Sequence, residues 1–294
     1  MHSYTTEHFK RDVTEAKTLQ KKHGTSYYFA TSFMPKKLRD ATYTLYAFFR
    51  IPDEIVDNAE TDSSDDVLEQ LTTWQRAWYT AYTERKSNNP ILRATQYVFH
   101  LYNIPFSLSE DFLSAMIQDV HKKSYQNYSE LEAYMYGSAS VVGIMLSYVI
   151  GFKNEKTLTY AKKLGEAMQL TNFLRDVGED FQKRGRIYMP QDELHTFGIT
   201  DEIQTQKVSE NWKRFMQFQI ARARSLYREA EPGIQELSHE GRLAVRLASR
   251  LYAQILDKIE EVDYDCLHMR VRTSTLEKIQ LAIPISLRHI SYYE

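Results

Sequence analysis

Turn-forming residues are scarce in this chain: 294 residues carry only 10 Gly and 7 Pro. Few turns over that length mean long elements, and long elements in a water-exposed chain are usually helices. Apolar residues recur at three- and four-residue steps, as in Phe9, Val13, Ala16 and Leu19, or in Leu38, Ala41, Leu45 and Phe48 behind Pro35. The same periodicity predicts helices over 5–22, 36–50, 67–85, 91–101, 106–121, 128–151, 155–182, 201–231 and 234–262. Loops are expected at 62–65, at 86–90 and, longest of all, at 185–198 around Pro190. No stretch alternates with period two between Asn-Gly or Asp-Gly turns, so a sheet is not expected. The expected fold class is all-α, a single domain over residues 1–294 without a low-complexity linker or a fixed-period repeat.

Composition narrows the function classes. Lys plus Arg number 37 against 39 Asp plus Glu, a balance that argues against a nucleic-acid-binding surface. The lone Cys266 has no partner for an internal disulfide and fits a reducing compartment. The first residues are polar and carry no visible targeting signal, so a cytoplasmic location is expected. The most apolar run, 139–152, is interrupted by Ser140, Gly143, Ser147 and Gly151 and reads as a buried core helix. Aromatic residues are in surplus, with 21 Tyr and 14 Phe.

Two segments carry chemistry. The first is Tyr46-Ala-Phe-Phe-Arg50-Ile-Pro-Asp53-Glu-Ile-Val-Asp57, and the second is Gln169-Leu-Thr-Asn172-Phe-Leu-Arg175-Asp176-Val-Gly-Glu-Asp180. Each holds an Asp-x-x-x-Asp pair, and residues four apart share one face of a helix. A lone pair of this kind ordinarily marks a solvated face, and like charges at that spacing destabilise a bare helix. Two such pairs, each beside an arginine (Arg50, Arg175) and within apolar sequence, point instead to a bound cation. Oxygen ligands without His or Cys suit Mg²⁺, with Mn²⁺ as a substitute. Two acidic helix faces meeting across a cavity would hold a diphosphate through such ions, with the arginines neutralising its remaining charge. Aromatic walls would exclude water and face a carbocation without attacking it.

Both segments resemble the two signatures of the squalene/phytoene synthase family. The likeness extends through His23-Gly-Thr-Ser26, Tyr136-Gly-Ser-Ala-Ser-Val-Val-Gly143, Arg184-Gly-Arg-Ile-Tyr-Met-Pro190 and Leu267-His-Met-Arg-Val-Arg-Thr-Ser274, nearly the whole chain. The resemblance implies an isoprenoid synthase helical bundle around a central cavity. It also implies a Mg²⁺-dependent prenyltransferase joining two prenyl diphosphates head to head through a cyclopropyl intermediate. Metal ligands would be Asp53, Asp57, Asn172, Asp176 and Asp180. Substrate contacts would fall on His23, Gly24, Thr25, Ser26, Tyr46, Arg50, Gln169, Arg175, Tyr252 and Arg270. Three products are open within the family: phytoene from two C20 donors, dehydrosqualene from two C15 donors, or squalene with an added hydride. The stretches Ala41 to Arg50 and Tyr134 to Gly143 look most like the phytoene-forming members of carotenoid-making prokaryotes.

Other features remain two-sided. Pro52 removes a backbone N–H just before Asp53 and is expected to kink the first motif or restart its helix. Tyr134, Met135, Tyr136, Gly137, Ser138, Ala139 and Gly143 are either core or the wall of a prenyl tunnel. Asp119 is a candidate for the cavity, and His121 for a helix end. Arg184, Gly185, Arg186 and Tyr188 form either a flap over the diphosphates or an exposed loop, and Cys266 reads as an inert buried thiol. A non-catalytic assembly factor of the same fold would have lost acids that are present here. A terpene cyclase or chain-elongating prenyltransferase would show an Asp-Asp-x-x-Asp run that both motifs lack. Oily substrates and products imply transient contact with a membrane surface.

Overall fold

A computed structural model describes residues 6–57 and 63–291. Among these residues the chain is helical throughout, and the only strand-like pairings are the single bridges Ser124–Ile187 and Phe152–Leu237. The helices are α1 (Thr6–His23), α2 (Thr25–Thr31), α3 (Lys36–Asp57), α4 (Ser64–Glu84), α5 (Pro90–Leu101), α6 (Phe106–His121) and α7 (Tyr128–Met135). A π-helical turn over Tyr136–Ser140 leads into α8 (Val141–Ile150). Then follow α9 (Lys156–Arg184), α10 (Gln191–Thr196), α11 (Glu202–Thr205), α12 (Glu210–Glu236), α13 (His239–Glu261) and α14 (Thr275–Ser291).

Local chemistry sets the starts. Ser63 and Asp66 form a reciprocal capping box on α4, Asn89 accepts from the amides of Ile91 and Leu92 ahead of Pro90, and Asn127 and Ser209 cap α7 and α12. Each such cap satisfies amides that the first helical turn leaves unpaired. Burial does the rest. Phe48 of α3 packs against Trp78, Phe99 and Phe112, while Trp212 and Phe215 anchor α12. Helix α9 lies against α8, α12 and α13, so its acidic segment is held from several sides.

The structure departs from the sequence expectations in several places. Helix α3 runs through Pro52 to Asp57 instead of stopping near residue 50. The proline removes one N–H donor and crowds the carbonyl of Phe48, and the flanking core contacts of Phe48, Phe49 and Val56 carry the helix across. The region 201–231 divides into α11 and α12, α10 occupies part of the expected long loop, and α2 and α14 were not anticipated. Of the expected loop at 62–65, Asp62 lies outside the described residues and Ser64 already belongs to α4. The span Tyr128–Ile150 is long and apolar enough to cross a membrane by length and composition, but more than half of its apolar window is buried inside the protein. Met135, Val141 and Met145 are fully buried there, in keeping with a core helix.

Candidate active site

The end of α3 and the second half of α9 face each other across the mouth of a cavity of about 810 Å³. Helix α3 contributes Tyr46, Arg50, Asp53 and Asp57 to its lining, and α9 contributes Gln169, Asn172, Arg175, Asp176 and Asp180. The junction of α1 and α2 adds His23, Gly24, Thr25 and Ser26, α13 adds Tyr252, and the segment before α14 adds Arg270. Every site residue expected from the sequence therefore lies on one cavity. Deeper in, the walls are apolar and aromatic, with Phe49, Phe112, Met116, Leu146, Leu164, Met168 and Phe173. The aromatic faces of Tyr27, Tyr46, Tyr134, Tyr188 and Tyr252 also line it.

At the mouth, arginines stand between the acids. Arg50 pairs with Asp53, places Nε 3.2 Å from Glu54 Oε1 and lies 3.9 Å from Asp57. Arg175 donates to both oxygens of Asp176, from Nε at 2.7 Å and Nη2 at 2.5 Å. Arg270 grips the same carboxylate from across the chain, with Nε 2.7 Å from Oδ1 and Nη2 3.1 Å from Oδ2. Arg184 reaches both acidic helices, with Nε 3.1 Å from Asp57 Oδ1 and Nη1 3.1 Å from Asp180 Oδ1. Among the described residues no three His, Cys, Asp or Glu side chains are gathered closely enough to hold a metal ion as they stand.

The acids titrate unequally. Lost hydration and the neighbouring Asp57 push Asp53 up to about 7. Burial and Asp176 push Asp180 up to about 7 as well. Burial also opposes the charge on Asp176, but Arg175 and Arg270 outweigh it and hold that carboxyl below its usual range. His23 sits 3.1 Å from Glu54, and burial lowers its pKa despite that neighbour.

A glycine positions Arg270. Gly178 lies between Asp176 and Asp180, and its N–H donates to Cys266 O at 3.1 Å. A Cβ there would stand 2.3 Å from Leu267 O, so only glycine lets the 266–267 backbone pass this close to α9. Cys266 is buried beside it, and burial pushes its thiol up to about 12, which makes it unreactive.

The two-sided features resolve as follows. Tyr134, Ser138, Ala139 and Gly143 line the cavity, whereas Met135 and Gly137 are core and Tyr136 lies outside the lining, its hydroxyl 3.4 Å from Asp111. Asp119 does face the cavity. It is buried, accepts from the Tyr188 hydroxyl at 3.0 and 3.2 Å and pairs with Arg186 at 3.1 Å. His121 closes α6. The stretch after α9 is no exposed loop: Arg186 and Tyr188 are buried, and Tyr188 stacks on Phe173 with ring centroids 4.1 Å apart.

Sequence reasoning missed Lys278. It is buried on α14, lines the cavity and donates from Nζ to Thr25 Oγ1 at 3.1 Å. Burial lowers its pKa, as befits an ammonium shown here with a hydroxyl rather than a carboxylate beside it. The signal was a charge at 278 on the same helical stripe as Ala282 and Ile285, which pack inward.

The squalene/phytoene synthase family model matches residues 20–277. A chloroplastic phytoene synthase from an Oncidium hybrid cultivar is 37% identical over 89% of this chain and 64% of its own length. The chain thus spans a little under two thirds of that relative. A phytoene synthase from Arthrospira platensis is 34% identical, over 89% of this chain and 87% of its own. The crystal structure of a dehydrosqualene synthase in complex with ligand superposes with a TM-score of 0.89 at 28% identity, covering 97% of this chain and 99% of its own. An all-helical fold, two facing acidic motifs on one cavity and these matches together place the chain in the squalene/phytoene synthase family.

Proposed function

We propose that this protein is a prenyltransferase that condenses two geranylgeranyl diphosphates head to head, through a cyclopropyl diphosphate, to phytoene. The carrying observation is the geometry of the cavity: paired acids and arginines from α3 and α9 crowd its mouth, and its interior is apolar and aromatic. The relatives named phytoene synthase support the C20 donor.

The donor set fits a hard divalent cation, since it is built of carboxylate and amide oxygens. Asn172 Oδ1, buried among these acids without a hydrogen-bond partner, is an oxygen that such an ion would satisfy. Asp53, Asp57, Asn172, Asp176 and Asp180 would hold Mg²⁺ or Mn²⁺, which when bound shields the diphosphate and makes it a better leaving group. Arg50, Arg175, Arg270 and Lys278 bind the phosphate oxygens, with His23, Thr25 and Ser26 at the junction of α1 and α2. Gln169, Tyr46 and Tyr252 orient the head of the prenyl chain. The rings of Tyr27, Tyr134, Phe173 and Tyr188 face the developing carbocation, and the packed walls keep water from quenching it.

A second reading, dehydrosqualene from two farnesyl diphosphates, is favoured by the close superposition on a dehydrosqualene synthase. Incubation with each diphosphate separately and Mg²⁺, with products identified by mass and ultraviolet spectrum, decides between them. Phytoene from the C20 donor is expected without any nicotinamide. A C30 hydrocarbon made only from the C15 donor overturns the C20 assignment, and a requirement for NADPH points to squalene.

A further inference from the structure

We propose that Arg184 is a clasp that joins the two acidic helices in the metal-free protein and competes with the divalent cation for the same carboxylates. The inference rests on the metal-binding reading above and adds a residue that acts against the metal. The guanidinium of Arg184 lies 3.1 Å from Asp57 on α3 and 3.1 Å from Asp180 on α9, one acid from each motif. The other mouth arginines differ: Arg50 serves the acids of its own helix, and Arg175 and Arg270 both close on Asp176. A single cation therefore links α3 to α9 at the position where a divalent ion would join the same motifs.

The link is built to be exchanged. Nη1 of Arg184 is hydrogen-bonded to Asp180, but Nε, though close to Asp57, has no hydrogen bond. The side chain ends α9 and is followed by Gly185, whose φ is +62° and around which a Cβ would meet nothing within 4 Å. Releasing Asp57 thus breaks an ion pair and no hydrogen bond, and releasing Asp180 breaks the one bond from Nη1, next to a residue with room to turn. A cation that enters must displace one positive charge, so the metal alone binds weakly. A diphosphate arriving with it gives the displaced guanidinium a new anion, and metal and diphosphate bind cooperatively.

The test is Mn²⁺ binding to the full chain, by titration calorimetry or paramagnetic resonance, with and without inorganic pyrophosphate. Arg184→Gln is expected to bind Mn²⁺ alone about 10-fold more tightly than the wild type, and to melt at a lower temperature in EDTA. Arg184→Lys keeps the charge and its reach to Asp180 but cannot span to Asp57; it is expected to gain about 3-fold, and serves the same comparison if the Gln variant does not fold. The gain is expected to shrink when pyrophosphate is present. Equal or weaker Mn²⁺ binding in both variants overturns the clasp while leaving the metal site standing. No Mn²⁺ binding to the wild type even with pyrophosphate overturns the metal reading and the clasp with it.

Discussion

Arg270 and Asp176 stand 94 positions apart in sequence, yet two hydrogen bonds of 2.7 and 3.1 Å join them at the cavity mouth. Their meeting depends on the backbone at 266–267 lying against Gly178. Gly178→Ala forces a methyl group into the Leu267 carbonyl and is expected to cost about 1–3 kcal/mol in a urea melt, the usual range for overpacking. It is expected to lower kcat/KM as well, by pushing Arg270 away from Asp176. Arg270→Gln, which keeps the backbone path, isolates the second effect: kcat/KM falls roughly 10- to 100-fold with little change in stability. Unchanged kinetics in both variants would contradict the placement of Arg270 on substrate.

The acids themselves give a sharper contrast. Asp53→Asn and Asp176→Asn preserve shape and remove charge, so helical content by far-ultraviolet circular dichroism is expected to stay near the wild-type level. Turnover is expected to fall at least ~1,000-fold, because each acid is assigned to the cation that carries the leaving group. Full activity in either variant would sink the proposed metal roles.

Lys278 offers the opposite signature. It is a buried ammonium on the cavity wall with Thr25 as its hydrogen-bond partner. Removing an uncompensated buried charge tends to stabilise a fold. Lys278→Met is therefore expected to melt at the same temperature as the wild type or higher, while KM for the diphosphate rises roughly 10-fold. A drop in melting temperature with KM unchanged would mark the lysine as a structural group only.

Asp180 carries a pH dependence whose sign is fixed. Its folded pKa of about 7 lies above the ordinary carboxyl value of 3.8, so between those values the folded protein retains a proton that the unfolded chain has released. Stability from this group is complete at low pH and declines as pH rises through about 4 to 7. In EDTA, the stability of Asp180→Asn relative to the wild type is expected to improve from pH 5 to pH 8, by on the order of 1–3 kcal/mol. Urea melts of both proteins across that range measure the difference, and a flat difference would contradict the shift.

Much of this was legible beforehand, for identifiable reasons. Scarce turn formers and three-to-four periodicity sufficed for the helical class, and the two Asp-x-x-x-Asp segments sufficed for the acids. Helix α14 was missed although Leu276, Ile279, Ile283 and Leu287 recur at three- and four-residue steps; in the structure that stripe is exposed and the opposite side of the helix packs inward. The π-helical turn at 136–140 left no trace, since Gly137, Ser138, Ala139 and Ser140 suit any tight helix crossing. Arg184 and Arg186 looked alike in sequence; burial separates them, one at the mouth and one against Asp119. The stripe of Ala282 and Ile285 marks Lys278 as inward-facing, but its partner Thr25 lies 253 positions away and is not encoded locally.

That last contact ties the beginning of the chain to its far end. Both aspartate segments precede Arg270 and Lys278 in the chain, so the lining they begin is completed by side chains from the stretch that follows α13. A chain shortened before Arg270 would leave the pocket open on that flank and short of two of the cations that line it. The docking of α14 beside Thr25 is what shuts that flank.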